Sequence, residues 1–125
     1  MKTIFAVDDN RANLVMAEQA LSGHYEVITI LSADIMFKML NDVIPDLILL
    51  DIMMPEINGF EALERLKADA KFADIPVIFL TGNRNTSIEA QGFALGAVDI
   101  VYKPFSAPSL LSRIKAHIRK GKDDD

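Results

Sequence analysis

Cysteine is absent from all 125 residues. That rules out a disulfide framework, a thiolate metal site and a thiol nucleophile, and it frees the fold from any need for an oxidising compartment. The two histidines, His24 and His117, have no partners at useful spacing and read as surface residues, so no histidine-based catalytic or phosphodonor site is indicated. No apolar run reaches the length of a membrane span. The N-terminal apolar run ending at Val7 is too short for the core of a secretion signal, and two acids, Asp8 and Asp9, break it. Positive charge is in deficit, with 13 Lys and Arg against 18 Asp and Glu for a net charge of −5, which is the wrong sign for a nucleic-acid backbone. These absences point to a cytoplasmic chain with no membrane contact and no direct nucleic-acid partner.

What remains is the composition of one globular domain, 50% hydrophobic and 25% charged. The domain is assigned to residues 1–120, and the polar stretch 121–125 to a linker stub or chain end.

Apolar runs and turn signals alternate regularly along the chain. Thr3 to Val7 predicts a strand, and Asp8-Asp9-Asn10 offers caps for a helix from Arg11 to about Leu21. Tyr25 to Ile30 alternates like a more exposed strand, and Ser32 caps a helix over Ala33 to Val43 that Pro45 ends. Leu47 to Leu50 is a run of four aliphatics leading straight into Asp51, which predicts a buried strand with a carboxylate at its C-terminal end. Asn58-Gly59 turns the chain into a helix from Phe60 to Ala70, and Pro76 opens a further apolar strand, Val77 to Leu80. A helix over Thr86 to Leu95 carries Gly92 inside it, and Gly96 stops it. A strand over Ala97 to Tyr102 and a helix capped by Ser106 complete the series, with Leu110, Leu111, Ile114 and Ile118 facing inward.

Five strands alternating with five helices through short loops predict an α/β fold. The expected architecture is a doubly wound, flavodoxin-like parallel sheet in the order 2-1-3-4-5, with helices on both faces. In that order strands 1, 3, 4 and 5 are neighbours. Their carboxyl ends therefore bring Asp8 and Asp9, Asp51, Thr81 and Lys103 along one edge of the sheet. Asp8 and Asp9 read alone are helix caps, and Lys103 read alone is a solvated lysine; the company of the other three changes the reading. Three converging carboxylates repel one another unless something compensates. Hard oxygen ligands select Mg2+, with Mn2+ as a substitute. A metal, an ammonium, a hydroxyl and a carboxylate nucleophile together suit transfer of a phosphoryl group to Asp51.

The chain resembles the receiver domain of two-component response regulators over nearly all of Thr3 to Arg119. The motifs are Val7-Asp8-Asp9-Asn10, Leu49-Leu50-Asp51-Ile52-Met53-Met54-Pro55 with Asn58-Gly59, Thr81-Gly82, Gly96-Ala97 and Lys103-Pro104-Phe105. The resemblance implies that Asp51 accepts a phosphoryl group from the phosphohistidine of a histidine kinase or histidine phosphotransfer protein. It implies that Asp9, Asp51 and the Met53 carbonyl hold Mg2+, with Asp8 acting mainly through water, that Lys103 and Thr81 bind phosphoryl oxygens, and that Lys103-Pro104 is a cis peptide. The face of helix 4, strand 5 and helix 5 is then the expected contact for an output domain, a target protein or a homodimer. Such a module catalyses only its own phosphorylation and dephosphorylation. The chain departs from the family where an aromatic usually precedes the lysine by three residues, because Ile100 stands there. Tyr102 follows on the same strand face.

Two alternatives stand beside this reading. An aspartate-nucleophile phosphohydrolase wants an acid two residues after the nucleophile, where this chain has Met53. A binding module with the same fold but no phosphorylation is disfavoured by the presence of all five site residues.

Overall fold

The computed structural model describes residues 1–119; the polar tail expected over 121–125 lies outside the described residues. Five apolar runs form strands β1 (Thr3–Val7), β2 (Glu26–Ile30), β3 (Leu47–Asp51), β4 (Val77–Thr81) and β5 (Asp99–Tyr102). Between and after them run α1 (Arg11–Leu21), α2 (Ala33–Met39), α3 (Gly59–Ala68), α4 (Thr86–Leu95) and α5 (Ala107–His117). All strand pairings are parallel, and the order across the sheet is β2-β1-β3-β4-β5, as the alternation predicts.

The period of two sorts each strand's side chains between two apolar cores. Leu47, Leu49, Ile78 and Leu80 point to one face and pack with Leu21 of α1 and Leu110 and Ile114 of α5. Ile48, Leu50, Val77 and Phe79 point to the other and pack with Met36 of α2 and Leu63 and Leu66 of α3. Every residue of β3 and β4 is buried, whereas β2 at the sheet edge is partly exposed. Each fully buried aliphatic contributes roughly 1.5–3 kcal/mol. Cores on both faces therefore fix the height of the strand ends firmly.

Side-chain caps set where the helices begin. Asn10, Ser32, Asn85 and Ser106 each accept a backbone N–H of the following turn. At α3, Asn58 and Glu61 cap reciprocally, at 2.9 and 3.2 Å.

Helix α3 runs from Gly59 to Ala68, where Phe60 to Ala70 was expected, because Asp69 is already its cap with extended backbone, and two other boundaries also differ from expectation. Helix α2 stops at Met39, not Val43. Leu40 is already its cap, and Asn41, Asp42 and Val43 wind through bonds back to Lys38 and Met39 before Pro45, which holds its predecessor extended. Strand β5 begins at Asp99, not Ala97, because the Ala97 N–H still belongs to the end of α4, donating to the Gly92 carbonyl at 3.1 Å. Gly92 itself is explained by packing. A Cβ there would meet the Phe79 ring at 3.1 Å and Ile100 at 3.3 Å, so the glycine lets α4 lie close against β4 and β5.

Candidate functional site

The carboxyl edge of the sheet gathers the acids. Asp51 ends β3 and Asp8 follows β1; both are buried, while Asp9 is exposed. One carboxylate oxygen from each of the three lies within 4.8 Å of the others. Lys103, just past β5, places its Nζ 3.0 Å from Asp51 Oδ1 and 3.2 Å from Asp8 Oδ2. Asp8 also accepts the Asn10 N–H at Oδ1, at 3.0 Å, and the Asn13 side-chain amide at Oδ2, at 3.1 Å. Thr81, buried at the end of β4, accepts the Asn83 N–H on its hydroxyl oxygen at 3.0 Å, and its carbonyl accepts the Lys103 N–H at 2.8 Å. The Lys103–Pro104 peptide is cis.

The loop after β3 is drawn tightly round the site. The N–H groups of Met54 and Gly59 both donate to the Ile52 carbonyl, at 3.2 and 2.8 Å. A Cβ on Gly59 would stand 2.5 Å from the Asp51 carbonyl, so only glycine fits where α3 starts. Met53 lies in this loop with its side chain 69% exposed, and Glu56 takes a left-handed backbone with φ of 67°.

Burial pushes the Asp51 carboxyl up to about 6, and the charges of Asp8 and Asp9 push the same way against the opposing bond from Lys103. Burial pulls the Lys103 ammonium down, but its bonds to Asp51 and Asp8 outweigh that and leave it above the usual lysine range. A carboxylate of raised basicity beside an ammonium that stays charged is a competent oxygen nucleophile with an electrophile-binding partner already in place.

On β5, Ile100 is buried in the core shared with α4 and carries no polar group. Tyr102 packs against the same core, and its hydroxyl is hydrogen-bonded to Glu89 of α4. The Arg84 guanidinium stacks 4.6 Å from the ring centroid. Tyr102 thus ties β5 to α4 and to the loop that follows Thr81. Beside it opens a cleft of about 220 Å3, lined in part by Arg84, Tyr102, Phe105, Ser106 and Arg113.

Sequence reasoning missed three groups of contacts. Asn13, in the first turn of α1, reads as an ordinary polar helix residue, and only its offset from Asp8 hinted at the bond. The Arg84–Tyr102–Glu89 group joins three separate elements. His117, expected without a partner, and Arg113, four residues earlier on α5, both reach Asp99 at the start of β5, at 3.1 and 2.7 Å. Partial burial pushes the Asp99 carboxyl up, but the bonds from Arg113, the Ile100 N–H and His117 outweigh it and hold the group below the usual range. Residues four apart on α5, facing an acid at the start of a core strand, were the available signal.

The pattern of the response regulator receiver domain matches residues 4–115. The chain belongs to that family. It is 41% identical over 123 residues to a probable cyclic di-GMP phosphodiesterase of Vibrio cholerae, matching 98% of this chain and 28% of that protein. It is 38% identical over 122 residues to the phosphate regulon transcriptional regulatory protein PhoB of Rhizobium meliloti, matching 97% of this chain and 54% of that protein. The receiver thus corresponds to a part of each of these longer proteins. Among solved structures, the chemotaxis protein CheY4 of Vibrio cholerae superimposes with a TM-score of 0.88 at 26% identity, covering 94% of this chain and 99% of that one. Receiver domains bind Mg2+ at an acidic pocket, and the Asp8–Asp9–Asp51 cluster offers the all-oxygen donor set that Mg2+ or Mn2+ prefers. Among the described residues no helix is long and apolar enough to cross a membrane.

Proposed function

We propose that this receiver is the phosphoacceptor switch of a cytoplasmic two-component phosphorelay, with Asp51 as the acceptor. The observation that carries the reading is the convergence of three carboxylates within 4.8 Å, with the Lys103 ammonium 3.0 Å from Asp51.

The donor is the phosphohistidine of a histidine kinase or histidine phosphotransfer protein. An Asp51 oxygen attacks the phosphorus, a P–O bond forms, the P–N bond breaks, and the imidazole leaves with the electron pair and takes up a proton. At neutral pH Asp51 is ionised and more basic than an ordinary carboxylate, which suits attack. A divalent cation held by Asp9, Asp51 and the Met53 carbonyl, with Asp8 mainly through water, would neutralise the charge that gathers on the carboxylates and the phosphoryl oxygens. Lys103 turns from Asp51 to a phosphoryl oxygen, and Thr81 gives up the Asn83 N–H to donate its hydroxyl to another.

Release of Asn83 frees the loop that carries Arg84, so the stack on Tyr102 and the Tyr102–Glu89 bond are the contacts by which α4 registers the event. Tyr102 carries this coupling, because Ile100, where the family usually has an aromatic, has no ring or polar group. The altered face of α4, β5 and α5 then meets an output domain, a target protein or a second copy. The receiver turns over no substrate beyond its own acyl phosphate. The phosphohydrolase alternative lacks its acid, because Met53 stands in that place.

Incubation with acetyl phosphate and Mg2+ should add the mass of one phosphoryl group to the intact protein. Chelation of the metal, or Asp51→Asn, should abolish the gain. A protein that gains no mass, or that still gains it as Asp51→Asn, would falsify the reading.

A further inference from the structure

Asp8 is the most constrained of the three acids, and its surroundings pick out a residue that the phosphoryl chemistry has not used. A carboxylate offers about four lone-pair positions. On Asp8, which is 1% exposed, three of these are taken: Oδ1 by the Asn10 N–H, and Oδ2 by both the Lys103 ammonium and the Asn13 amide. The three donors differ in kind. The Asn10 N–H is backbone and cannot move far. The Lys103 ammonium is shared with Asp51 and is drawn away when a phosphoryl group arrives. The Asn13 amide is a side chain on the first turn of a capped helix, anchored at 3.3 Å by its own N–H to Asn10. It reaches Oδ2 from α1 and does not depend on Lys103 for its position.

We infer that Asn13 is a positioning residue for the metal site: its amide holds the Asp8 carboxylate plane in place, so that Asp8 presents the same oxygen to the cation before and after phosphorylation. The inference rests on the phosphoacceptor reading and adds to it a residue outside the ligand set. Outer partners of this kind orient metal-binding carboxylates, and their loss costs about 10- to 100-fold in metal affinity. Without the amide, Oδ2 keeps Lys103 alone among these side-chain donors and loses even that when the lysine turns.

The test uses Asn13→Leu, which keeps the branched shape and removes the donor, with Asn13→Ala as the second variant if leucine does not fold. Mg2+ is titrated calorimetrically against the intact protein, and the acetyl phosphate reaction is run over a range of Mg2+ concentrations. The Mg2+ dissociation constant and the half-saturating Mg2+ concentration should both rise about tenfold. The rate at saturating Mg2+ should stay within about twofold of the parent, because Asp51, Thr81 and Lys103 are untouched. A purely structural role for Asn13 would lower the melting temperature and leave the Mg2+ affinity of the folded protein where it was; that result overturns the inference. If the parent itself binds no Mg2+, the phosphoacceptor reading fails. If the parent binds it and Asn13→Leu matches the parent, only the role of Asn13 is lost.

Discussion

Asp51 costs the metal-free fold stability at neutral pH. Its carboxyl titrates near 3.8 in an unfolded chain and at about 6 in the folded one, chiefly through burial. Between those values the folded state holds more protons than the unfolded state, so stability falls as pH rises from about 4 to about 6 and is level above that. Asp51→Asn removes the ionisation and should raise the unfolding free energy of the metal-free protein at pH 7 by about 1 to 3 kcal/mol. It should also flatten the fall between pH 4 and 6. Denaturant unfolding of both proteins at pH 4, 5, 6 and 7, with a chelator present, checks this. Equal pH profiles for the two would mean that Asp51 is not the residue that pays. The same scale shows what the sequence made legible. Asp8, Asp9, Asp51, Thr81 and Lys103 could be placed because each directly follows a strand that apolar pattern alone defines. Asn13 could not, since an asparagine in a first helical turn looks the same whether its amide faces solvent or a buried acid.

Among the elements, α3 starts in close contact with the site. Its first residue, Gly59, leaves no room for a Cβ beside the Asp51 carbonyl and Ile52 Cα, at 2.5 and 2.8 Å. Gly59→Ala should therefore destabilise the protein by about 1 to 3 kcal/mol and slow phosphorylation, because the backbone that yields is that of Asp51. Gly82→Ala is the control: a Cβ there meets nothing within 4 Å, and its melting temperature should match the parent's. Thermal unfolding and the acetyl phosphate rate, measured on both variants, separate the two. β1, β3 and β4 were legible from their apolar runs, β2 from its alternation, and most helices from the caps and turns that open them. The ends of α2 and β5 were misplaced because there the backbone bonds of a terminal turn, at Asn41 to Val43 and at Ala97, override local pattern. The clasp of Asp99 by Arg113 and His117 depends on how α5 is rotated against the sheet, which a one-dimensional pattern does not encode.

At the scale of the whole molecule, the sheet buried between two cores serves as a rigid platform, and ligand binding at its edge should be felt throughout. A cation that binds only the folded state adds about 2.7 kcal/mol to stability at a hundredfold excess over its dissociation constant. Mg2+ at that excess should raise the melting temperature by several degrees, and Asp9→Asn, at an exposed position of the cluster, should remove most of the rise. An equal rise in the variant would place the cation elsewhere. The edge itself has a further consequence. Its functional groups come from β1, β3, β4 and β5, so they arrive from far-separated stretches of chain, and Lys103 comes last. No fragment that stops short of β5 holds the complete set, and no misregistered sheet lines it up. On the proposed reading, acceptance of a phosphoryl group therefore requires a sheet built through β5: a chain that stops before Lys103, or whose strands pair out of register, lacks part of the acceptor set.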